Sequence, residues 1–376
     1  MYIDRELLRS IHEYLLPNKV LIIYGPRRAG KTTLIGKYLE SVSEPYLLLT
    51  GDDIFVRESF AVHSIEKLKD AIGTVGLLVI DEAQKIRDIG MALKLIVDHM
   101  PGIKVMATGS SSFELARSTG EPLTGRKHTV RLFPLSQMEI MVTENPPQTE
   151  ANLEKRLIYG GYPEAVVGED NRMRERYLKE LVSSYLYKDI LELDGVRHSD
   201  KIARMLRLLA FQIGRDVSFT EIGTTLGMSK NTAERYLDLL EKAFVIFRLS
   251  GFSRNSRKEI VKNGRYFFWD NGVRNALINN YNPIALRDDI GSLWENYIIS
   301  ERIKKQEYRG IISNNYFWRT YAKEEIDFVE EREGRLFGYE IKWSADRTKP
   351  PKGWNEMYPD AVYECVTRGN YRSFIA

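Results

Sequence analysis

Between residues 19 and 109 the chain alternates short apolar runs with segments whose apolar positions recur at helical spacing. KVLIIY, YLLLT, GLLVID and KVMATG read as strands, whereas TTLIGKYLESV and a segment from about Ile89 read as helices. That alternation predicts an α/β fold with a parallel sheet covered by helices on both faces. Near Phe133-Pro134 the strand rhythm stops. From about Leu153 to Leu193 the pattern is mainly helical, with one break at Gly160-Gly161-Tyr162-Pro163-Glu164-Ala165, where glycine and proline punctuate. Three more helical runs with short turns fill Asp200 to Gly251, and after Phe252 the chain becomes basic and then strand-rich. No repeat or low-complexity tract is present, and ENPPQTE at 144–150 is the best linker. The expected divisions are 1–140, 141–199, 200–265 and 266–376.

Composition narrows the class. A chain of 376 residues exceeds one ordinary hydrophobic core, so two or three domains are expected. No apolar run approaches bilayer-spanning length and MYIDRELLRS lacks the order of a signal peptide, so the expectation is a cytoplasmic protein without a membrane partner. The single cysteine, Cys365, excludes an intrachain disulfide and a cysteine-based zinc site, and reads as a small buried residue of the last strand. A net charge of +3 is too mild to argue for nucleic acid, so local charge must decide.

The strongest chemical signal is Gly25-Pro26-Arg27-Arg28-Ala29-Gly30-Lys31-Thr32, followed by Thr33. It fits the phosphate-binding pattern G-x-x-x-x-G-K-[ST] and lies between a strand and a helix. The glycines let the backbone wrap phosphates, amides at the helix start point at them, Lys31 neutralises charge on the β and γ groups, and Thr32 ligates magnesium. Further on, Leu77-Leu78-Val79-Ile80 ends in Asp81-Glu82. A buried strand with a magnesium-supporting Asp81 and a water-activating Glu82 fits this string, as does an acid pair capping a helix. A third strand ends in Thr108-Gly109-Ser110-Ser111-Ser112, whose small hydroxyls would stand beside the γ-phosphate.

These residues resemble the AAA+ ATPases, in particular prokaryotic members whose P-loop reads GPRR-x-GKT and whose sensor strand reads TGSSS. The resemblance implies Thr108 or Ser110 as the sensor, and continues through Leu123-Thr124-Gly125-Arg126 and Phe133-Pro134-Leu135-Ser136. Arg126 is then a candidate arginine finger, in cis or on a neighbouring subunit, or equally a surface arginine in an ion pair. No second sensor arginine can be placed: Arg172, Arg174 and Arg176 read as a solvated helix face. Assembly into a ring is left open.

Ser218-Phe219-Thr220-Glu221 reads as a capping box, and Ser229 is placed to cap a following helix. In that helix Ala233, Tyr236, Leu237, Leu240 and Phe244 share one face, leaving Lys230, Asn231, Glu234 and Arg235 outward. With a first helix in MLRLLAFQIG this is helix-turn-helix spacing. Arg248, Arg254, Arg257, Lys258, Lys262 and Arg265, against Glu259 alone, then suit a β-wing on phosphates. Glu234, Asp238 and Glu241 dilute the charge of the second helix, so a protein-binding role stays open, and DNA is the expected partner.

The last hundred residues hold a second constellation. EEIDFVEEREGRLFGYEIKWS reads as a hairpin turning near Gly334, with Asp327 opposite Ile326 and Phe328, and with Glu340 and Lys342 sharing a face away from Tyr339, Ile341 and Trp343. An outward cross-strand ion pair is the plain alternative. Asp, a gap and Glu-x-Lys resemble the PD-(D/E)xK nucleases, which implies magnesium, or manganese, held by Asp327 and Glu340 with Lys342 on the attacking water. Glu295, in Gly291-Ser292-Leu293-Trp294-Glu295-Asn296, sits where such folds place an additional metal-binding acid.

The whole chain resembles a prokaryotic family that joins an AAA+ core to a domain of unknown function. Its marks are the Tyr159–Ala165 segment, Tyr187-Lys188-Asp189-Ile190, the helix-turn-helix, Phe268-Trp269-Asp270-Asn271-Gly272, GSLWEN, EIDFV and EIK. Membership implies a P-loop ATPase with a helical lid, a winged helix and a restriction-endonuclease-like C-terminal domain. ATP and DNA are the expected partners; a homo-oligomer or protein partner is left open. The alternatives to an ATPase-nuclease are a non-cleaving ATP-dependent switch on DNA and a signalling ATPase whose C-terminal domains bind protein.

Overall fold

The computed structural model describes residues 2–110, 122–186, 199–253, 264–344 and 348–376, with the side chains of 185, 186 and 199 left aside. Five parallel strands form the first sheet: β1 (Val20–Tyr24), β2 (Tyr46–Thr50), β3 (Leu77–Asp81), β4 (Lys104–Gly109) and β5 (Lys127–Arg131), in the order β2-β3-β4-β1-β5. β1 and β3 are buried at every position, as continuous apolar runs in a covered parallel sheet should be. The sheet's last strand ends at Arg131, just before Phe133-Pro134 where the strand rhythm stops, but the strand itself is not among the apolar runs. Strand β5, KHTVR, pairs with β1 alone among the described residues and buries only Val130, so its polar side chains hide an edge strand from a hydrophobicity reading. Two unforeseen helices, Ile54–Ala61 and Ile65–Ile72, fill the crossover from β2 to β3.

A helix begins within ENPPQTE. Asn145 caps the helix Pro146–Tyr159 through a reciprocal box with Gln148, and Pro146 stands at its first position, where a missing amide costs nothing. Helices Pro163–Val167 and Asn171–Glu180 follow the expected break. At that break Gly160 has φ of +72°, and a Cβ there would meet the Asp270 carboxylate at 2.2 Å, so only glycine fits.

The remaining strands are β6 (Asp216–Val217), β7 (Ile246–Gly251), β8 (Gly264–Phe268), β9 (Asn314–Arg319), β10 (Glu325–Arg332), β11 (Arg335–Ile341) and β12 (Val362–Val366). They form one sheet in the order β12-β11-β10-β9-β7-β8-β6. A break at 265/266 therefore falls inside β8, and the parallel β7–β9 pair joins the two regions the sequence separates. β10 and β11 form the expected hairpin, turning at Glu333-Gly334 with positive φ at both, and a bulge lies between Ile326 and Val329. Cys365 is half-buried in β12 rather than fully buried. The helices Phe219–Leu226 and Lys230–Lys242 are capped by Ser218 and Ser229, Ser218 through the Glu221 amide alone rather than a reciprocal box, with Ala233, Tyr236, Leu237 and Leu240 buried and Phe244 lying past the helix end. Ser111, Ser112, Tyr187–Ile190, and the basic Arg254, Arg257, Lys258 and Lys262 with Glu259 lie outside the described residues.

The two sheets share an aromatic core. Phe133, just past β5, lies 4.6 Å from Trp269 between ring centroids, and Tyr24 at the end of β1 lies 5.5 Å from Phe244. The strands of the first sheet thus end against the root of the C-terminal half. Among the described residues no helix is long and apolar enough to cross a membrane.

Candidate functional site

The loop after β1 turns into the helix Lys31–Leu39. Gly25 is required here because a Cβ would sit 2.0 Å from the Leu132 carbonyl oxygen. Lys31 is buried and donates from Nζ to the carbonyls of Gly25 and Pro26 at 2.9 and 3.0 Å. A cleft of about 670 Å³ opens over the loop, lined by Arg27, Arg28, Gly30, Lys31, Thr32 and Thr33 among others. Pro26 and Ala29 are buried beneath.

β3 lies one strand beyond β4 from β1 and delivers Asp81 to the same cleft. Thr32 Oγ1 donates to Asp81 Oδ2 at 2.7 Å, and the fully buried Thr108, at the end of β4, donates its hydroxyl to Oδ1. Glu82 lines the cleft in the left-handed region at φ 51°, a strained backbone for a side chain of its size, and accepts from Gln84 Nε2 at 2.7 Å. Thr32 and Asp81 are the hard oxygen pair that would hold a nucleotide-bound magnesium, and their hydrogen bond already orients the threonine oxygen.

Arg126 is not brought to this cleft. It precedes β5 at the amino end of the parallel sheet, level with Val20, and pairs with Asp98 at 2.6 Å. The P-loop follows the carboxyl end of β1, roughly 15 Å away at about 3.3 Å per residue. A role in cis is removed by that geometry; the ion-pair reading matches the observed contact.

Three groups near the cleft escaped the sequence reading. Arg5, only 3% exposed, donates to the Ala29 carbonyl at 2.6 Å, to the Phe133 carbonyl at 2.6 Å and to Glu139 at 2.8 Å. Tyr308 meets the same guanidinium at 3.3 Å and accepts from the Phe133 amide at 3.2 Å. Glu164, at the start of the Pro163–Val167 helix, pairs with Arg28 at 3.2 Å across the cleft mouth. One turn back, the Gly161 amide donates to Asp270 at 2.6 Å, and burial pushes that carboxyl up.

Tyr308 ends the helix Ile290–Tyr308, which also contacts the P-loop half through Tyr297, donating to Gln137 at 2.8 Å, and Glu301, accepting from the Gln137 amide at 2.5 Å. Glu295, near the opposite end, is half-buried, with its Oε1 atom buried and lacking a hydrogen-bond partner. Asp327 Oδ2 accepts from the Ile341 amide at 2.8 Å, and Lys342 pairs with Glu340 at 2.6 Å and Asp327 at 3.6 Å. Arg265 bonds Glu325 at 2.9 Å. Burial, and then the Asp327 charge, hold Glu295 and Glu340 above the usual carboxylate range; burial raises Asp327 itself.

Asp327, Glu340, Lys342 and Glu295 thus gather at one end of the second sheet, but not as a metal cage. Among the described residues no three acid, histidine or cysteine side chains stand in metal-holding geometry. The Lys342 ammonium stands within ion-pair reach of both Glu340 and Asp327, where a cation would compete with it, so the three-acid ligand set read from sequence is not formed as folded.

Residues 17–141 match the profile of an AAA domain. Residues 150–283 and 290–372 match two domains of unknown function, DUF8612 and DUF4143. The chain is 28% identical over 352 residues to an uncharacterized protein of Mycobacterium tuberculosis, covering 92% of this chain and 73% of that one. It is 24% identical over 341 residues to an uncharacterized protein of Methanocaldococcus jannaschii, covering 85% and 74%. A Walker-type ATPase of Pyrococcus abyssi shares the fold at 18% identity with a TM-score of 0.50, over 74% of this chain and 96% of that chain. The chain is an AAA-type P-loop ATPase that carries a C-terminal domain of unknown function.

Proposed function

We propose that this ATPase is a nucleotide-driven switch on DNA. Its observation is the helix Ile290–Tyr308: one end is hydrogen-bonded to the guanidinium that grips the P-loop, and the other carries Glu295 into the acid cluster. Movement of the loop on hydrolysis would be passed along a rigid rod to the second sheet. In this reading Lys31 binds the phosphates, Thr32 and Asp81 hold the magnesium that supplies charge neutralisation, Thr108 senses Asp81, and Glu82 orients water once released from Gln84. The helices of 146–180 form the lid, with Glu164 on Arg28.

The DNA assignment rests on the capped pair Phe219–Leu226 and Lys230–Lys242, which leaves Lys230, Asn231 and Arg235 exposed and leads into the antiparallel β7–β8 pair, the layout of a winged helix. Burial pushes Glu241 up to about 7, so this acid dilutes the basic face less than its formal charge suggests. A mobility shift of duplex DNA that weakens steeply from low to moderate salt tests the assignment. Binding insensitive to salt, or none, would turn the reading toward a protein-binding signalling ATPase.

A metal-dependent nuclease on a restriction-endonuclease-like domain is the second reading, favoured by the orphaned Glu295 oxygen beside Asp327. It requires Lys342 to yield its place. Magnesium-dependent cutting of supercoiled or single-stranded DNA by the wild type and not by Asp327→Asn would establish it, and uncut DNA with intact binding would leave the switch.

A further inference from the structure

The second sheet carries its charge at one end. By strand register Asp216, Arg265, Arg319, Glu325, Asp327, Glu340 and Lys342 all stand where β7, β9 and β11 finish and β8 and β10 begin. Between the β7–β8 root and the acid cluster lies an open groove of about 430 Å³, floored by Gly251 and Phe317 and walled by Arg319, Thr320, Tyr321 and Lys323.

Its wall is a turn with an unusual tip. Thr320 and Glu324 close it through the Lys323 amide to the Thr320 carbonyl at 3.0 Å, the Thr320 amide to the Glu324 carbonyl at 2.9 Å and the Glu324 amide to Thr320 Oγ1 at 3.2 Å. Glu324 further accepts from the Gly353 amide at 3.0 Å, tying the turn to the helix behind it. Lys323 takes a left-handed φ of 65° where glycine or asparagine would be unstrained. On this fixed turn Tyr321 is 99% exposed, so its ring contributes nothing to the core. The neighbouring Arg319 is held by Asp216 at 2.8 Å, which fixes the direction of its guanidinium.

We propose that the Arg319–Lys323 turn is a strand-positioning element for single-stranded nucleic acid, with Tyr321 stacking on a base and Arg319 and Lys323 facing the flanking phosphates. An exposed aromatic on a closed turn beside two cations in a groove is an arrangement that holds an unpaired strand without reading its sequence. A duplex, whose bases are already stacked, offers Tyr321 no partner face. The inference rests on the DNA reading above and adds the form of DNA, an unpaired or frayed segment passing from the β7–β8 root to the acid cluster.

The test uses the full chain with a short labelled oligonucleotide, single-stranded and as its duplex, in fluorescence anisotropy. Tyr321→Ala should weaken single-strand binding by about tenfold, with a smaller change for duplex, and Tyr321→Phe should restore it. ATP turnover should match wild type in both variants, since the ring touches neither core nor nucleotide cleft. Equal single-strand affinity in wild type and Tyr321→Ala, or a wild type that binds duplex alone, would overturn the inference and leave the DNA reading standing. A wild type that binds neither form removes both.

Discussion

Arg5 and Tyr308 meet at 3.3 Å although they stand 303 residues apart, and the same guanidinium holds the P-loop carbonyl of Ala29. Arg5 also neutralises Glu139, which is wholly buried and engaged by the amides of Glu6 and Ser136. Arg5→Ala strands that carboxylate and should cost about 3–5 kcal/mol. Urea unfolding measures it; a loss below about 1 kcal/mol would mean the pair carries no such weight.

Tyr308→Phe is milder, since it removes one hydroxyl and keeps the ring against Phe133 at 5.9 Å. The expected outcome is a folded protein with basal ATP turnover near wild type and a lost response of turnover to added DNA. A DNA response equal to wild type would show that this contact transmits nothing.

In the nucleotide cleft, Lys31→Ala should abolish hydrolysis. Glu82→Gln should retain nucleotide binding and slow turnover by at least about a hundredfold, the contribution expected of a group acting on water. Isothermal titration and phosphate release on the same preparations check both, and measurable wild-type turnover in either variant would remove that residue from its role.

Much of this cleft was legible because its signals are contiguous: Gly25–Thr33 and Leu77–Glu82 each fall on one strand end, and the apolar runs around them announce buried parallel strands. Arg5, Glu139, Tyr308 and Glu164 were not, because only the tertiary fold brings them to the loop. Strand β5 was hidden by its polar side chains, and with it the fact that Arg126 stands at the amino end of the sheet, away from the P-loop. The Asp327, Glu340, Lys342 grouping followed from strand alternation, yet alternation could not say that Lys342 would pair with both acids. Nor could it reveal the β7–β9 pair, which makes one sheet of two expected domains.

Burial raises Glu241 from 4.5 to about 7, so the native state holds its proton more tightly than the unfolded chain does. Its stabilising contribution is full below pH 4.5 and is lost as pH rises through about 7. The melting temperature should therefore fall between pH 5 and pH 8 by more in wild type than in Glu241→Gln. Parallel curves for the two proteins would contradict the assignment.

The raised Glu295 carboxyl follows the same sign: burial and the neighbouring Asp327 penalise its ionised form, a cost that appears as pH climbs. Glu295→Gln should raise the melting temperature at pH 8 more than at pH 5. Without nucleotide, millimolar magnesium should stabilise the wild type more than this variant if the cluster takes a cation; equal shifts would remove the metal-dependent reading.

The decisive measurement is DNA affinity by anisotropy for the full chain loaded with a non-hydrolysable ATP analogue, with ADP, or with no nucleotide. A nucleotide-driven switch predicts affinities that differ between states by at least about fivefold, with the difference absent in Lys31→Ala. Equal affinity in every state, in samples shown to hold the nucleotide, would contradict it.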